Sequence, residues 1–429
     1  MTDSIKPFKG LRYNFTKAGN PESLLAPPYD VISPTQQDDL YNINDYNIVR
    51  LILGKEFEND TPSNNRYTRS AADLESWINS EILQRDEKEA IYVYAQTYEV
   101  EGNKKTRIGF VARKKLEDFG GSIVPHEKTL AGPKADRLNL TRACRCNFSQ
   151  IFGLYTDNEK KSDKLLNEIT STTPDITATT NDGLTHSLWA VTDTEWISQL
   201  VSIVTGKSIL IADGHHRYET ALNYYKEMVA KGEATEDVKY VMMYFTNTES
   251  EGLTILPTHR LIFNLKDFNL DDFLKKLESE FSIEKLTSQN GNRNDATESI
   301  LSEKMAQSAH GVFGLYSGNG NYHFLKYKGA PSSDPLDELD VGILHNKILE
   351  AHVGIGQKEL AAQTNVKYSQ EIQKTAERVD SESFQLAFFL NPTPVVHMQK
   401  VTSAGLKMPQ KSTYFYPKLI SGLVINPLY

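Results

Sequence analysis

Cysteine is almost missing: Cys144 and Cys146 are the only two in 429 residues. Two thiols cannot supply a secreted disulfide framework. Cys144-Arg145-Cys146 also has no further cysteines with which to close a structural zinc site. Long apolar runs are absent too. No stretch of about 18 apolar residues occurs, so no transmembrane helix and no membrane partner are expected. The opening segment MTDSIKPFKG lacks the apolar stretch of a signal peptide, and a cytoplasmic protein is the expectation. Positive charge is in deficit. The chain has 47 Lys and Arg against 56 Asp and Glu, a net charge of −9, which argues against nucleic acid as the main partner. What is present, 39% hydrophobic and 24% charged residues, excludes a wholly disordered chain. At ~150 residues per domain, the length implies two or three domains, each able to bury its own core.

The segments between polar stretches have recognisable periods. Ala71–Leu83 places Ala72, Trp77, Ile78 and Ile82 at helical spacing. Ala90–Val100 alternates as a strand, with Arg107–Ala112 as its hairpin partner. A strand at Leu188–Val191, a helix at Glu195–Val204 ended by Gly206, a buried strand at Ser208–Ala212 and a helix at Arg217–Ala230 follow. Asp271–Phe281 is amphipathic, and Val312–Tyr327 reads as a hairpin around Ser317-Gly318-Asn319-Gly320. The polar stretch Thr170–Gly183 reads as an exposed loop and a domain boundary, and Ser288–Thr297 and Gly329–Asp334 read as surface loops. The expectation is a mixed α/β and α+β protein in three parts: an α+β region at 1–185, an α/β core at 186–265, and an α+β region with a basic tail at 266–429. A cleft between them is where a ligand is expected.

Ile209–Leu222 (ILIADGHHRYETAL) is the most informative stretch. An apolar strand stops at Asp213-Gly214, and a helix opens on His215, His216 and Arg217. Gly214 permits a sharp bend. The first helical turn carries unbonded N–H groups and a partial positive charge, which together suit a phosphate or carboxylate. The dipole contributes only ~0.3–2 kcal/mol. The two histidines and the bidentate Arg217 must therefore supply most of an anion's affinity. Asp213 is placed to act as a general base or to hold a magnesium ion on a nucleotide. The alternative is an Asp cap with a solvated His-Arg helix end. The position directly after a buried strand favours function.

Pro125–Thr129 (PHEKT) groups His126, Glu127 and Lys128, with Lys134, Asp136 and Arg137 soon after. These are candidate acid, base and phosphate ligands; a charged surface loop is the alternative. Thr258-His259-Arg260 is a second His-Arg pair beside a strand, and on its own reads as structural. Ala26–Ser33 (APPYDVIS) is stiffened by two prolines and presents Tyr29 and Asp30 on a rigid turn. After Glu382 no acidic residue occurs, while Lys400, Lys407, Lys411 and Lys418 do. In Met408–Leu419 (MPQKSTYFYPKL), Lys411, Ser412 and Thr413 suit an anion and the aromatics suit a base; a basic, solvent-facing tail is the alternative. A Walker loop is rejected there, because Gln410 replaces its second glycine and Tyr414–Pro417 cannot readily start a helix. Glu359–Arg378 superficially has the form of a helix-turn-helix, but its second half carries little positive charge.

The set APPYDVIS, PHEKT, ADGHHRYETAL, LPTHRLI and MPQKSTYFYPKL resembles the family catalogued as domain of unknown function 1015, with markers from Ala26 to Leu419. The order of elements over Trp189–Lys226 resembles the ParB/sulfiredoxin superfamily. Within it, Asp213-Gly214-His215-His216-Arg217 is similar to the D-G-H-x-R motif of free-serine kinases. That resemblance implies a kinase using ADP or ATP with magnesium on a small hydroxylated, serine-like metabolite. It implies Asp213 near the transferring phosphoryl, and His215, His216 and Arg217 on phosphates. The kinases also use an N-terminal glutamate, for which Glu127 is the candidate on chemistry. The candidate catalytic residues are thus Asp213, Glu127 and His126. Candidate nucleotide and phosphate ligands are Gly214, His215, His216, Arg217, Lys128, Arg137, His259, Arg260, Lys411, Ser412 and Thr413. No metal ligand set is assigned. Two alternatives stand beside the kinase: a nucleotide-binding regulatory or ParB-like module without turnover, and a metal-dependent hydrolase built on Asp213, His215, His216, His126 and His259. No HExxH spacing supports the hydrolase.

Overall fold

The structure, a computed structural model, describes all residues except 1–3, 128–130, 288–294, 309, 331 and 333, and the side chains of 131, 133, 287 and 295. Lys128 and most of the Ser288–Thr297 stretch therefore lie outside the described residues. The chain is a mixed α/β protein. It forms two compact units: unit 1 is Met1–Pro125, Thr129–Thr254 and Pro417–Tyr429, and unit 2 is His126–Lys128 and Ile255–Tyr416.

Unit 1 is built on a nine-stranded mixed sheet. Its strands in chain order are β1 Ile5–Lys6, β2 Ile91–Val100, β3 Asn103–Lys115, β4 Ile123–Pro125, β5 Ile151–Tyr155, β6 Ile176–Thr179, β7 Thr185–Val191, β8 Ile209–Asp213 and β9 Tyr240–Asn247. The spatial order is β4-β8-β5-β9-β3-β2-β7-β6, with β1 also on β3. Strands from both sides of residue 185 thus share one sheet. The tight hairpin β2–β3, with Tyr94 opposite Gly109, follows the alternation in the sequence. Ile91, Val93, Phe110, Ile151, Ile209, Ile211, Met243 and Phe245 form one core beneath the sheet. Leu166, Leu200, Val204 and Tyr218, from three helices, belong to the same core. The helices concerned are α1 Arg66–Asn79, α2 Ala131–Cys144, α3 Lys161–Thr170, α4 Thr194–Val204 and α5 His215–Lys231.

Two local expectations are corrected in unit 1. Thr170–Gly183 is not simply an exposed loop, because β6 lies within it and pairs antiparallel with β7, Ile176 opposite Leu188. Ile176 and Ala178 are buried while Thr177 and Thr179 are exposed. The threonines that suggested a loop are the outward residues of a strand. The helix expected over Ala71–Leu83 is α1, and it ends at Asn79. Asn65 caps its start through the N–H groups of Tyr67 and Thr68. Ile82, beyond the helix end, is buried in one cluster with Leu74 and Trp77 of the helix.

Unit 2 holds a six-stranded antiparallel sheet. Its strands are β10 His259–Ile262, β11 Phe281–Thr287, β12 Val312–Tyr316, β13 Asn321–Tyr327, β14 Val366–Ser369 and β15 Leu386–Phe389, in the order β11-β13-β12-β15-β10-β14. The β12–β13 hairpin is as expected, turning through Gly318, Asn319 and Gly320, all at positive φ. The amphipathic segment divides into a helix, Leu270–Leu277, and β11. Glu359–Arg378 is not a helix-turn-helix. Strand β14 separates the helices Gln357–Ala362 and Ile372–Ser381 and pairs with β10.

The C-terminal segment is not a solvent-facing tail. Met408, Phe415, Leu419, Ile420 and every residue from Ser421 to Leu428 are buried. Within unit 1, Ser421 pairs with Ala26, Ile425 with Leu11, and Asn426 with Asn147. The aromatic and aliphatic residues, rather than the lysines, decide where this segment lies. Among the described residues, no helix is long and apolar enough to cross a membrane.

Candidate functional site

Strand β8 runs antiparallel to β5, and its register shifts between Ile211 and Asp213. Such an irregularity re-aims the last side chain of a strand. Gly214 follows in the left-handed region, φ +91°, and α5 begins at His215. As the N-cap residue, Gly214 offers no side chain to cap this helix start. A Cβ on Gly214 would lie 3.0 Å from the Arg217 guanidinium, so glycine permits both the bend and the return of Arg217 over it. Helix α5 is held by a buried face of His215, Tyr218, Ala221, Leu222 and Met228, and ends at Gly232 in the left-handed conformation. Ion pairs Lys134–Glu219 (2.7 Å) and Arg142–Glu227 (2.8 Å) tie it to α2.

The Asp213 carboxylate accepts on both oxygens. Arg217 Nη2 donates to Oδ2 at 2.8 Å, and Lys418 Nζ donates to Oδ1 at 3.0 Å. Arg217 also donates through Nη1 to the carbonyl of Gln150, whose side-chain amide donates to the Ile420 carbonyl at 3.1 Å. Burial alone would raise the Asp213 carboxyl. The charges of Lys418 and Arg217, the Lys418 hydrogen bond and His215 outweigh it and hold the group well below the usual carboxylate range. A group so held is a weak proton acceptor. With one cation on each oxygen, Asp213 does not fit as a magnesium ligand in this arrangement. Among the described residues no cluster of three or more His, Cys, Asp or Glu is placed to hold a metal.

Behind Arg217 lies a small cavity of about 50 Å³, lined in part by Tyr29, Arg137, Ser149 and Thr220. That volume suits water rather than a nucleotide. The Arg137 guanidinium lies 3.8 Å from the centre of the Tyr29 ring, donates to the Ile52 carbonyl at 2.7 Å and pairs with Asp136. Burial pushes the Tyr29 phenol up, against the opposing charges of Arg137 and Arg217. Unit 1 thus brings together Asp213, Gly214, His215, His216, Arg217 and Arg137, with Tyr29 of the rigid APPYDVIS turn beside them. Lys418 and Gln150 were not among the expected site residues. Lys418 is one of four lysines in an acid-free segment, and nothing in their spacing distinguishes it. Gln150 acts through its backbone carbonyl, which carries no sequence signal.

The other expected residues that the structure describes gather within unit 2. His126 Nε2 and Thr413 Oγ1 are 3.0 Å apart, and the Lys411 N–H donates to Glu127 Oε1 at 3.2 Å. Arg260 is fully buried and donates through Nη2 to the Lys411 carbonyl at 3.1 Å. The Ser412 hydroxyl donates to the Pro409 carbonyl at 2.6 Å. His259 Nδ1 accepts the Leu390 N–H at 3.3 Å, and burial, with Arg260 adding to it, lowers its pKa to about 3. The contacts of His126, Glu127, Arg260 and Ser412 hold the turn Pro409–Thr413 by side chains that read as ligands in the sequence.

The sheet and its strand–helix corner define a mixed α/β protein whose strand-end carboxylate is locked between two cations. The chain belongs to the family described as a protein of unknown function, DUF1015, whose match spans residues 5–342. No curated protein matches it. Solved structures similar to it include a conserved hypothetical protein from Pyrococcus furiosus, at 11% identity and a TM-score of 0.34, covering 70% of this chain and 89% of that one. A free serine kinase in complex with AMP is similar at 11% identity and a TM-score of 0.35, over 68% and 83% of the two chains. SbnI from Staphylococcus aureus with a C-terminal truncation is similar at 11% and 0.34, over 74% and 87%.

Proposed function

We propose that the Asp213 corner is a phosphate seat, and that the chain is a nucleotide-dependent phosphotransferase acting on the hydroxyl of a small, serine-like metabolite. The observation that carries this reading is the shared anchoring of Arg217 and Lys418 on Asp213, beside a helix start whose N-cap residue is a glycine. Two cations held ready by one carboxylate are organised for an incoming anion at little entropic cost. Phosphate oxygens compete with Asp213 for Arg217 and Lys418, while backbone N–H groups at the start of α5 donate to a further phosphate oxygen. Once its cations turn to the phosphate, Asp213 regains ordinary basicity. It then takes the hydroxyl proton as the hydroxyl oxygen bonds to phosphorus and the bond from phosphorus to the nucleotide oxygen breaks. Magnesium enters no step of this scheme.

One observation favours a second reading, a nucleotide-binding module without turnover. The carboxylate that would serve as base is held acidic by both cations. The two readings separate in one experiment: isothermal titration with ADP, ATP and inorganic phosphate, followed by phosphorus NMR of the same samples with a panel of hydroxylated metabolites. Binding and a new phosphate ester, with the ester lost in Asp213→Asn by about 10²–10⁴ in rate, support the kinase. Binding without ester supports the module. No binding of any nucleotide or phosphate refutes both.

A further inference from the structure

Strand β2 carries Tyr92, Tyr94, Gln96 and Tyr98 on one face, all of them buried. Gln96 interrupts this aromatic row, and the residue opposite it on β3 is Arg107. Both side chains are fully buried. An amide and a guanidinium in the middle of a sheet are costly there unless they are paired. Their partners are neither strand nor helix. Arg107 Nη2 donates to Gln96 Oε1 and to the Pro417 carbonyl, the latter at 2.5 Å. Gln96 Nε2 donates to the Lys418 carbonyl at 2.9 Å. The guanidinium also lies 4.6 Å from the centre of the Phe152 ring, which fixes its plane.

Residues 417–420 lie outside the helices and strands. A buried backbone with no ladder of its own has to be satisfied by other groups. Side chains do so here at Pro417, Lys418 and Ile420, through Arg107, Gln96 and Gln150. The first two grips are placed in a telling way. The Pro417 and Lys418 carbonyls belong to the peptide groups on either side of the Lys418 Cα, so the root of that side chain is clamped from both directions. Its ammonium is the one on Asp213, at 3.0 Å. The second cation traces back to the same segment, because Arg217 donates to the carbonyl of Gln150 while the Gln150 amide holds Ile420.

We propose that Gln96 and Arg107 are positioning residues of the Asp213 corner: they fix the backbone around Lys418 so that its ammonium is presented to the carboxylate and to an incoming phosphate. The second half of that statement rests on the reading of the corner as a phosphate seat. When phosphate takes Lys418 from Asp213, the ammonium passes between two acceptors while its root stays in place, and little freedom is lost on binding. Neither Gln96 nor Arg107 touches the phosphate; each acts through Lys418.

The test is calorimetric titration of the full chain with inorganic phosphate and with ADP. In Gln96→Met, which keeps the length of the side chain but donates no hydrogen bond, binding is expected to weaken about three- to tenfold. In a Lys418→Met background the same substitution adds less than about twofold, because the group it positions is gone. Arg107→Met reproduces the loss. Arg107→Lys, which keeps the charge and a donor for the Pro417 carbonyl, recovers part of it. If tryptophan emission shows that Gln96→Met does not fold, the two Arg107 variants decide. Solvent exchange of the Lys418 ammonium protons, read by NMR of isotope-labelled lysine, needs no ligand: it is slow in the parent and severalfold faster in Gln96→Met. A parent that binds neither phosphate nor ADP refutes the phosphate seat, and ammonium exchange then decides the positioning on its own. Binding unchanged in Gln96→Met where the parent binds, an equal loss with and without Lys418, or unchanged ammonium exchange overturns the proposal.

Discussion

Replacing Lys418 with Met removes one of the two cations on Asp213 while keeping the length of the side chain. The Lys418 and Asp213 side chains are 16% and 21% exposed, and their atoms are 3.0 Å apart. A hydrogen bond to a charged group is worth about 1.5–3 kcal/mol, and a fully buried pair loses about 3–5 when broken. Here Arg217 stays on the carboxylate and solvent reaches part of the pair, so a loss of about 1–2 kcal/mol is expected at pH 7. The pH dependence gives the sharper check. Asp213 is depressed in the folded chain, so its stabilisation is present above the unfolded carboxylate value of about 3.9 and is lost as pH falls towards the folded value. In Lys418→Met, burial is opposed by Arg217 alone and the carboxyl moves up. A loss of about 1–2 kcal/mol corresponds to a rise of only about one pKa unit, so the difference between variant and parent should hold from pH 7 to about pH 4 and shrink only in stronger acid, between the two folded values. All three tryptophans, Trp77, Trp189 and Trp196, belong to unit 1. Tryptophan emission in urea titrations therefore reads the right unit. A difference under about 0.5 kcal/mol at pH 7 would refute the claim that Asp213 is anchored by Lys418.

Gly214→Ala should cost about 1–2 kcal/mol, because an L-residue is placed at φ +91° with its Cβ 3.0 Å from Arg217; the same tryptophan transition measures it, and an unchanged midpoint would show that the bend is not constrained. Unit 2 should lose stability as pH falls below about 6.5, because burial holds His259 and His345 neutral with pKa values near 3. The unfolded chain gains protons there that the folded one refuses, about 1.4 kcal/mol per pH unit for each histidine. Hydrogen exchange of peptides spanning 259–262 and 344–350, flat between pH 7 and pH 5, would contradict it.

Elements with a clear period were legible. The β2–β3 hairpin, α4, β8 and α5 lie where alternation and helical spacing put them, since burial of one face decides each locally. Thr170–Gly183 failed because strand β6 has only Ile176 and Ala178 to mark its inner face. Strand β14 failed because Val366 and Tyr368 sit in a helix-rich neighbourhood, and its pairing with β10 is long-range. At the site, the Asp-Gly bend and the residues following it were readable. The partner that sets the charge state of Asp213 was not. Lys418 is 205 residues away, and only tertiary packing selects it from its neighbouring lysines.

The interrupted course of unit 1 has a consequence for biosynthesis. Residues 417–429 complete it only after the whole of 255–416 has been translated. At about 5–20 residues per second the ribosome needs roughly 10–30 s for that interval. Throughout it the backbone of Leu11, Ala26 and Asn147 waits for its pairing, and Asp213 waits for its lysine. A message cut short anywhere in that interval yields a protein with most of its first unit and no finished Asp213 corner. The Asp213 corner is therefore complete only after synthesis has passed Lys418.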